Sequence, residues 1–242
     1  MSKIRLQVAL AKAGISSRRK AVEFIEKGRV RVNEKTVREK GFRVDAKSDK
    51  ISIDGKTILP EEKKCYCLLN KPAGVLSTAR DERLRKTVLD YVKLKNARLY
   101  PVGRLDNDTT GLIILTNDGD LTYRLTHPKF GVRRAYLVKV KGGIDTKALS
   151  RLKSGVTVDG RLARAEKVFT HKVSPDFSVI TLMISEGRKR EVRNMLKAVG
   201  HDVLGLKRVS YGPLKLGGLK EGKTRMLTKG EVARLKESVG LR

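Results

Sequence analysis

The sequence predicts an α+β chain in two parts: a small α/β domain over residues 1–60 and, beyond a linker at 61–64, a larger domain over 65–242 on a mixed, mostly antiparallel β-sheet flanked by helices. Three observations predict it. The N-terminal stretch carries two short runs of helical periodicity followed by short strands. The rest mixes β-rich runs with a few helices and lacks the regular strand–helix alternation of a doubly wound sheet. Between them, Leu59-Pro60-Glu61-Glu62-Lys63-Lys64 breaks the periodicity with proline and charge together.

Taken in order, Leu6, Ala9, Leu10 and Ala13 fall on one helical face, and Gly14 is placed to stop that helix. A second helix follows, with Ser17 as N-cap and Ala21, Phe24 and Ile25 as its apolar side down to Gly28. Val30-Arg31-Val32, a turn at Asn33-Glu34, and Lys50-Ile51-Ser52-Ile53 ending at Asp54-Gly55 read as short strands joined by turns. In the larger part, Cys65 to Leu69 is an apolar strand running into Asn70-Lys71-Pro72. Gly111 to Leu115 is a buried strand, after which Asn117, Asp118 and Gly119 have the φ > 0 tolerance of a tight turn. Arg133 to Val140 alternates as a strand with Tyr136 on one side. Val192, Met195, Leu196 and Val199 form the stripe of a helix closing at Gly200. Thr228-Lys229-Gly230-Glu231 is a capping box opening a last helix with Val232, Leu235 and Val239 on one face.

Charge narrows the function classes. Lys and Arg total 55 against 26 Asp and Glu, a formal net charge of +29, so a polyanion is the expected partner and nucleic acid leads. An acidic membrane surface calls for an amphipathic helix with a bulky apolar face, and none is present. No run approaches the roughly 18 apolar residues of a spanning helix, and the N-terminus lacks the apolar core of a secretory signal, so a cytoplasmic location is expected. Cys65 and Cys67 would suit a metal only if two further ligands converged, and His127, His171 and His201 stand singly, so buried structural thiols and no metal are expected. No phosphate loop or dinucleotide fingerprint is found, and a monomer is the default.

The most informative stretch is Gly103-Arg104-Leu105-Asp106-Asn107-Asp108-Thr109-Thr110-Gly111, leading through Leu112 to Leu115 into Thr116-Asn117-Asp118-Gly119-Asp120. It sets a carboxylate beside an arginine at the mouth of a strand. Spacing alone fits a solvated polar loop as well as a loop anchored by rigid structure, where catalytic groups tend to sit.

The wording of this stretch, with Leu125-Thr126-His127-Pro128 after it, resembles the central motif of the RsuA-like branch of ribosomal RNA pseudouridine synthases. Three further segments resemble that family in its order: Cys65 to Pro72, Arg133 to Val140, and Ser185 to Leu196. Val203 to Val209 is similar to its closing motif. Ser16 to Lys20 and Gly28 to Asn33 resemble the small RNA-binding domain of the S-four-like fold. The resemblance implies the pseudouridine synthase fold, with Asp106, Tyr136 and Arg193 catalytic, Tyr136 against the target base and Arg193 paired with Asp106. It implies that Leu206 lines the uracil pocket, that Arg104, Lys71, Arg188 and Arg190 belong to the RNA-binding set, and that Arg18, Arg19, Lys20 and Arg29 contact phosphates. Arg134-Ala135 before the tyrosine departs mildly from the family wording.

The reaction so implied converts a uridine of ribosomal RNA, with the large subunit (23S) favoured, to pseudouridine. The base detaches from the ribose, turns, and rebonds through carbon five, with no cofactor. Asp106 at the anomeric carbon is nucleophile or base, and the uridine must leave its stack to reach it. The alternative is a non-catalytic RNA-binding ribosome-assembly factor, which has no physical need to keep Asp106, Tyr136 and Arg193 together. Asp108 is expected to point away from Asp106 if the segment is extended.

Overall fold

Hydrophobic cores closed by helices organise the computed structural model, which describes residues 3–46, 48–58, 63–94 and 97–241. One compact unit is Met1–Cys65 with Leu94–Arg98 and Asn117–Gly119; the other holds Tyr66–Lys93, Leu99–Thr116 and Asp120–Arg242. Of the linker expected at 61–64, only Lys63 and Lys64 lie within the described residues; Leu59 and Pro60 before it also lie outside them.

The first unit runs β1 (Ile4–Arg5), α1 (Leu6–Lys12), α2 (Arg18–Glu26), β2 (Val30–Val32), β3 (Lys35–Val37), β4 (Arg43–Val44), β5 (Ile51–Ile53) and β6 (Lys56–Thr57). The Ser17 hydroxyl accepts from the Lys20 amide at 3.1 Å and so caps α2. Leu6, Leu10, Ala21 and Ile25 bury the facing sides of the two helices against Val30, Val32, Val37, Val44 and Ile51. β2 is central in an antiparallel sheet of order β3-β2-β5-β6. Its first hairpin turns on Asn33 and Glu34, both at positive φ, which matches the strand twist. The pairing of β1 with β4 is absent from the sequence reading because two-residue strands carry no measurable alternation.

The second unit runs β7 (Tyr66–Lys71), β8 (Tyr100–Pro101), β9 (Thr110–Thr116), α3 (Gly119–Thr126), β10 (Arg134–Lys141), α4 (Thr146–Ser154), β11 (Val156–Val158), β12 (Arg161–Ala163), β13 (Lys167–Val173), β14 (Phe177–Ile184), α5 (Glu191–Ala198), β15 (Val203–Tyr211), β16 (Leu214–Lys215), β17 (Thr224–Met226) and α6 (Lys229–Glu237). Its nine-stranded sheet has the order β13-β14-β10-β15-β9-β7-β17, with β16 on β15 and β8 on β9. Every pairing is antiparallel except that of β9 with β15, so the chain is α+β on a mixed, mostly antiparallel sheet flanked by helices. The central strands β7 and β9 are buried almost throughout, and Tyr66, Leu68, Leu112 and Ile114 pack with Leu121 and Leu125 of α3 and Leu235 of α6. Toward the rim the pattern changes: β14 alternates, and the edge strand β13 is largely exposed and carries Lys167, His171 and Lys172, which discourage further pairing.

One expected turn is not there. Asn117, Asp118 and Gly119 all have negative φ, and α3 begins directly at Gly119. The Asn117 side chain instead accepts from the Cys65 amide and donates to the Lys63 carbonyl, both at 2.9 Å, so the residue serves by its amide group rather than by its backbone freedom. Cys67 is buried in β7, which pushes its thiol up to about 11 and leaves it protonated at neutral pH. Among the described residues no helix is long and apolar enough to cross a membrane.

Candidate active site

The segment before β9 is a pinned loop. Leu105 is buried, its amide donates to the Ser77 hydroxyl at 3.1 Å, and that hydroxyl donates back to its carbonyl at 2.9 Å. The Thr109 amide then donates to the Asp106 carbonyl at 3.1 Å, so Asp106 to Thr109 is a turn rather than an extended run. A turn sends neighbouring side chains in different directions. Asp106 lines a cavity of about 470 Å³, whereas Asp108 lies outside the lining. The rigid sheet behind the loop supplies the opposite wall: Tyr136 of β10 stands opposite Arg208 of β15, and Val138 opposite Leu206. Tyr136, Leu206 and Arg208 are all buried and all line the cavity.

The expected pairing of Arg193 with Asp106 is corrected by this turn. The Arg193 guanidinium is 3.0 Å from the carboxylate of Asp108, donates to the Asp108 carbonyl at 3.2 Å, and reaches the Val203 carbonyl at 3.4 Å. Its side chain is 13% exposed and it does not line the cavity, so it grips the loop from α5 rather than facing a substrate. Arg190, whose backbone takes the left-handed conformation at the N-terminus of α5, adds a second contact to Asp108 at 3.5 Å. Among the described residues the Asp106 carboxylate has no hydrogen bond or ion pair, which leaves it available to a ligand.

Lys71 is also corrected. It is completely buried, with its ammonium donating to the Pro72 carbonyl at 2.8 Å and the Asn107 carbonyl at 3.4 Å, out of reach of RNA and tied to the same loop. Burial lowers its pKa to about 8, against the opposing pull of Asp108, Asp106 and Glu221. Because the folded value lies below the unfolded 10.5, the cost of burying the ammonium is full below pH 8 and is relieved as pH rises toward 10.5. Lys71→Met carries no such cost. The stability of the wild type relative to Lys71→Met should therefore climb between those limits, by up to about 1.4 kcal/mol per pH unit, in urea unfolding at a series of pH values. A difference independent of pH would show that Lys71 is not a buried cation.

Arg188, expected at RNA phosphates, is already occupied: it pairs with Glu186 at 3.0 Å and Glu191 at 3.2 Å and donates to the Leu162 carbonyl at 2.7 Å. Arg29 is likewise held, bidentate on Asp54 and 4.5 Å from the Phe24 ring. Arg18, Arg19 and Lys20 are exposed along the first turn of α2, and Arg104 is exposed beside Asp106.

Two residues escaped the sequence reading. Arg134 and Arg208 are buried, line the cavity, and bring their guanidinium carbons 4.9 and 4.8 Å from the Tyr211 ring centre. The signal was available: Arg134 lies two residues before Tyr136 and Arg208 two after Leu206, so period two puts each on the same strand face as a residue singled out for the pocket.

A pinned loop that presents a carboxylate and a sheet that presents a tyrosine and buried cations to one cavity fit the comparisons with known proteins. The model of the RNA pseudouridylate synthase family matches residues 65–198, and that of the S4 domain matches residues 4–51. The chain is 45% identical to the ribosomal large subunit pseudouridine synthase B of Bacillus subtilis, over 96% of this chain and 95% of that one. It is 40% identical to an uncharacterized RNA pseudouridine synthase of Aquifex aeolicus, over 100% and 97%. A solved pseudouridylate synthase superposes with a TM-score of 0.67 at 29% identity, covering 96% of this chain and 99% of that one. With its core motif, its fold and nearly its whole length shared, this chain belongs to the RNA pseudouridylate synthase family, a family of isomerases, and carries an S4 domain ahead of the catalytic sheet.

Proposed function

We propose that this enzyme isomerises a uridine of ribosomal RNA, in the large subunit, to pseudouridine, with Asp106 acting at the ribose anomeric carbon. The observation that carries the reading is the Asp106 carboxylate, unpaired among the described residues, on a pinned loop across one cavity from Tyr136 and Leu206. A cavity of about 470 Å³ is of the size that small ligands fill, and an extruded nucleoside is such a ligand. The bond from C1′ to N1 breaks with its electron pair going to N1. Asp106 either bonds C1′ or takes the proton from C2′. The ring of Tyr136 offers a face to the base, and its hydroxyl a site for proton handling. After the base turns, C5 bonds to C1′ as Asp106 leaves that carbon or returns its proton to C2′, and the proton then lost from C5 is matched by one taken up at N1. Arg193 and Lys71 keep the loop in place from behind.

Residues 1–60 then dock the RNA, joined through 61–64 to the catalytic part at 65–242. Exposed Arg18, Arg19 and Lys20 meet phosphates there, and Arg104 and Arg190 meet those flanking the target. In this reading the enzyme works as a monomer, and a ribosomal RNA substrate fits work in the cytoplasm. The similarity to the Bacillus large-subunit enzyme supports the choice of RNA. The test is to map pseudouridines in ribosomal RNA transcribed in vitro, with and without the protein. A new pseudouridine in the large-subunit RNA is expected; none in any ribosomal RNA would overturn the reading.

A further inference from the structure

Two cations buried at the floor of the cavity have no counter-ion among the described residues. Arg208 is 2% exposed; its Nε donates to the Leu112 carbonyl at 2.7 Å, and its Nη2 is buried without a partner. Arg134 donates only to neutral acceptors, the carbonyls of Ser185, Glu186 and Leu125 and the hydroxyl of Tyr211. Neither has a carboxylate within ion-pair distance among the described residues, and Glu186 and Glu191 on the same wall are engaged by Arg188. Burying charge without a partner is costly, and a donor left unmade adds to it. The local backbone is built around Arg208: Gly111 lies against its main chain so closely that a Cβ there would meet the Arg208 carbonyl oxygen at 2.3 Å.

We propose that Arg208, supported by Arg134, is a further catalytic residue: its guanidinium donates to a carbonyl oxygen of the detached uracil and holds that anion while it turns. The inference rests on the isomerase reading above. When the C1′–N1 bond breaks, N1 keeps the electron pair and the base becomes an anion. In the same step Asp106 loses its charge, by bonding C1′ or by taking the C2′ proton. Negative charge thus passes from the loop to the base, and a fixed cationic floor beside Tyr136 favours that passage without reorganising. A backbone phosphate is the other anion available, but exposed Arg104, Lys189 and Arg190 at the rim suit it better than a floor reached past Tyr136.

The test uses the full chain under single-turnover conditions on ribosomal RNA transcribed with uridine or with 5-fluorouridine, following loss of the parent nucleoside after digestion. Fluorine makes the base a better leaving group that needs less help. Arg208→Gln should slow uridine conversion by about 100-fold and 5-fluorouridine conversion by no more than about tenfold, with RNA affinity within a few-fold of wild type. Equal losses for the two bases, or affinity falling in step with rate as a phosphate anchor requires, would overturn the proposal, as would an unimpaired variant. Should circular dichroism show that Arg208→Gln does not fold, Arg208→Lys, which keeps the cation and lacks the planar guanidinium fork, must show the same unequal loss in milder form. A wild type that forms no pseudouridine defeats the isomerase reading itself, whereas an active wild type beside an unimpaired Arg208→Gln defeats this inference alone.

Discussion

Asp106→Asn abolishes pseudouridine formation, lowering the single-turnover rate by about 10⁴-fold or more, while RNA affinity stays within a few-fold of wild type. The substitution keeps the shape of the side chain and removes its charge, nucleophilicity and basicity together. It has no folding penalty to confuse the result, because the carboxylate has no hydrogen bond or ion pair to lose among the described residues. The turn that presents it is held by the backbone contact to Thr109 and by Ser77 on Leu105, neither of which involves the side chain. Affinity, set by phosphates and counterion release, should if anything rise, since the chain becomes one charge more basic. Nucleoside analysis of the digested RNA reads the first quantity and filter binding at fixed salt the second. Product at more than about 1% of the wild-type rate would remove Asp106 from the reacting centre.

Gly111→Ala should be the most damaging single-methyl change in the sheet, lowering stability by more than about 3 kcal/mol and activity with it. Gly111 sits at φ +104, where side chains are strained, and its added Cβ would stand 2.3 Å from the carbonyl oxygen and 2.7 Å from the nitrogen of Arg208. Backbone in a sheet centre cannot give way as a flexible side chain can. The collision falls at the parallel pairing of β9 with β15, where Lys207 and Arg208 meet Thr110 and Gly111, so repair would move both the Asp106 loop and the floor of the cavity. Gly55→Ala is the control: φ is +79 there, yet nothing lies within 4 Å, and the cost should be about 1 kcal/mol. Urea unfolding of the two variants separates conformational strain from collision. Equal losses would mean that β15 does not press on Gly111.

Much of the local structure was legible because its causes are local. Ser17 and Thr228 cap their helices as their spacing predicts, since a cap needs only a hydroxyl and an amide three residues on. The stripe of Val192, Met195 and Leu196 buries one face of α5 because helical period alone decides which side chains share a face. Asn117 and Asp118 misled for the converse reason: tolerance of positive φ is a permission, and burial beside β9 together with bonds to Lys63 and Cys65 decided otherwise. Arg29 and Arg188 look in sequence like free cations, and each is claimed by carboxylates that the fold brings within reach.

Chain order and residue type carried the α+β class, the basic character that selects a polyanion, and the family, through motifs whose wording survives without coordinates. What the linear chain left open was pairing across space. One turn at Asp106 to Thr109 assigns Arg193 to Asp108 and frees Asp106, and one register between β10 and β15 sets Arg208 beside Tyr136. The reason is physical: ion pairs and cavity walls depend on separations of a few ångströms between residues distant in the chain, and a single turn or a one-residue shift of register reverses which side chains meet.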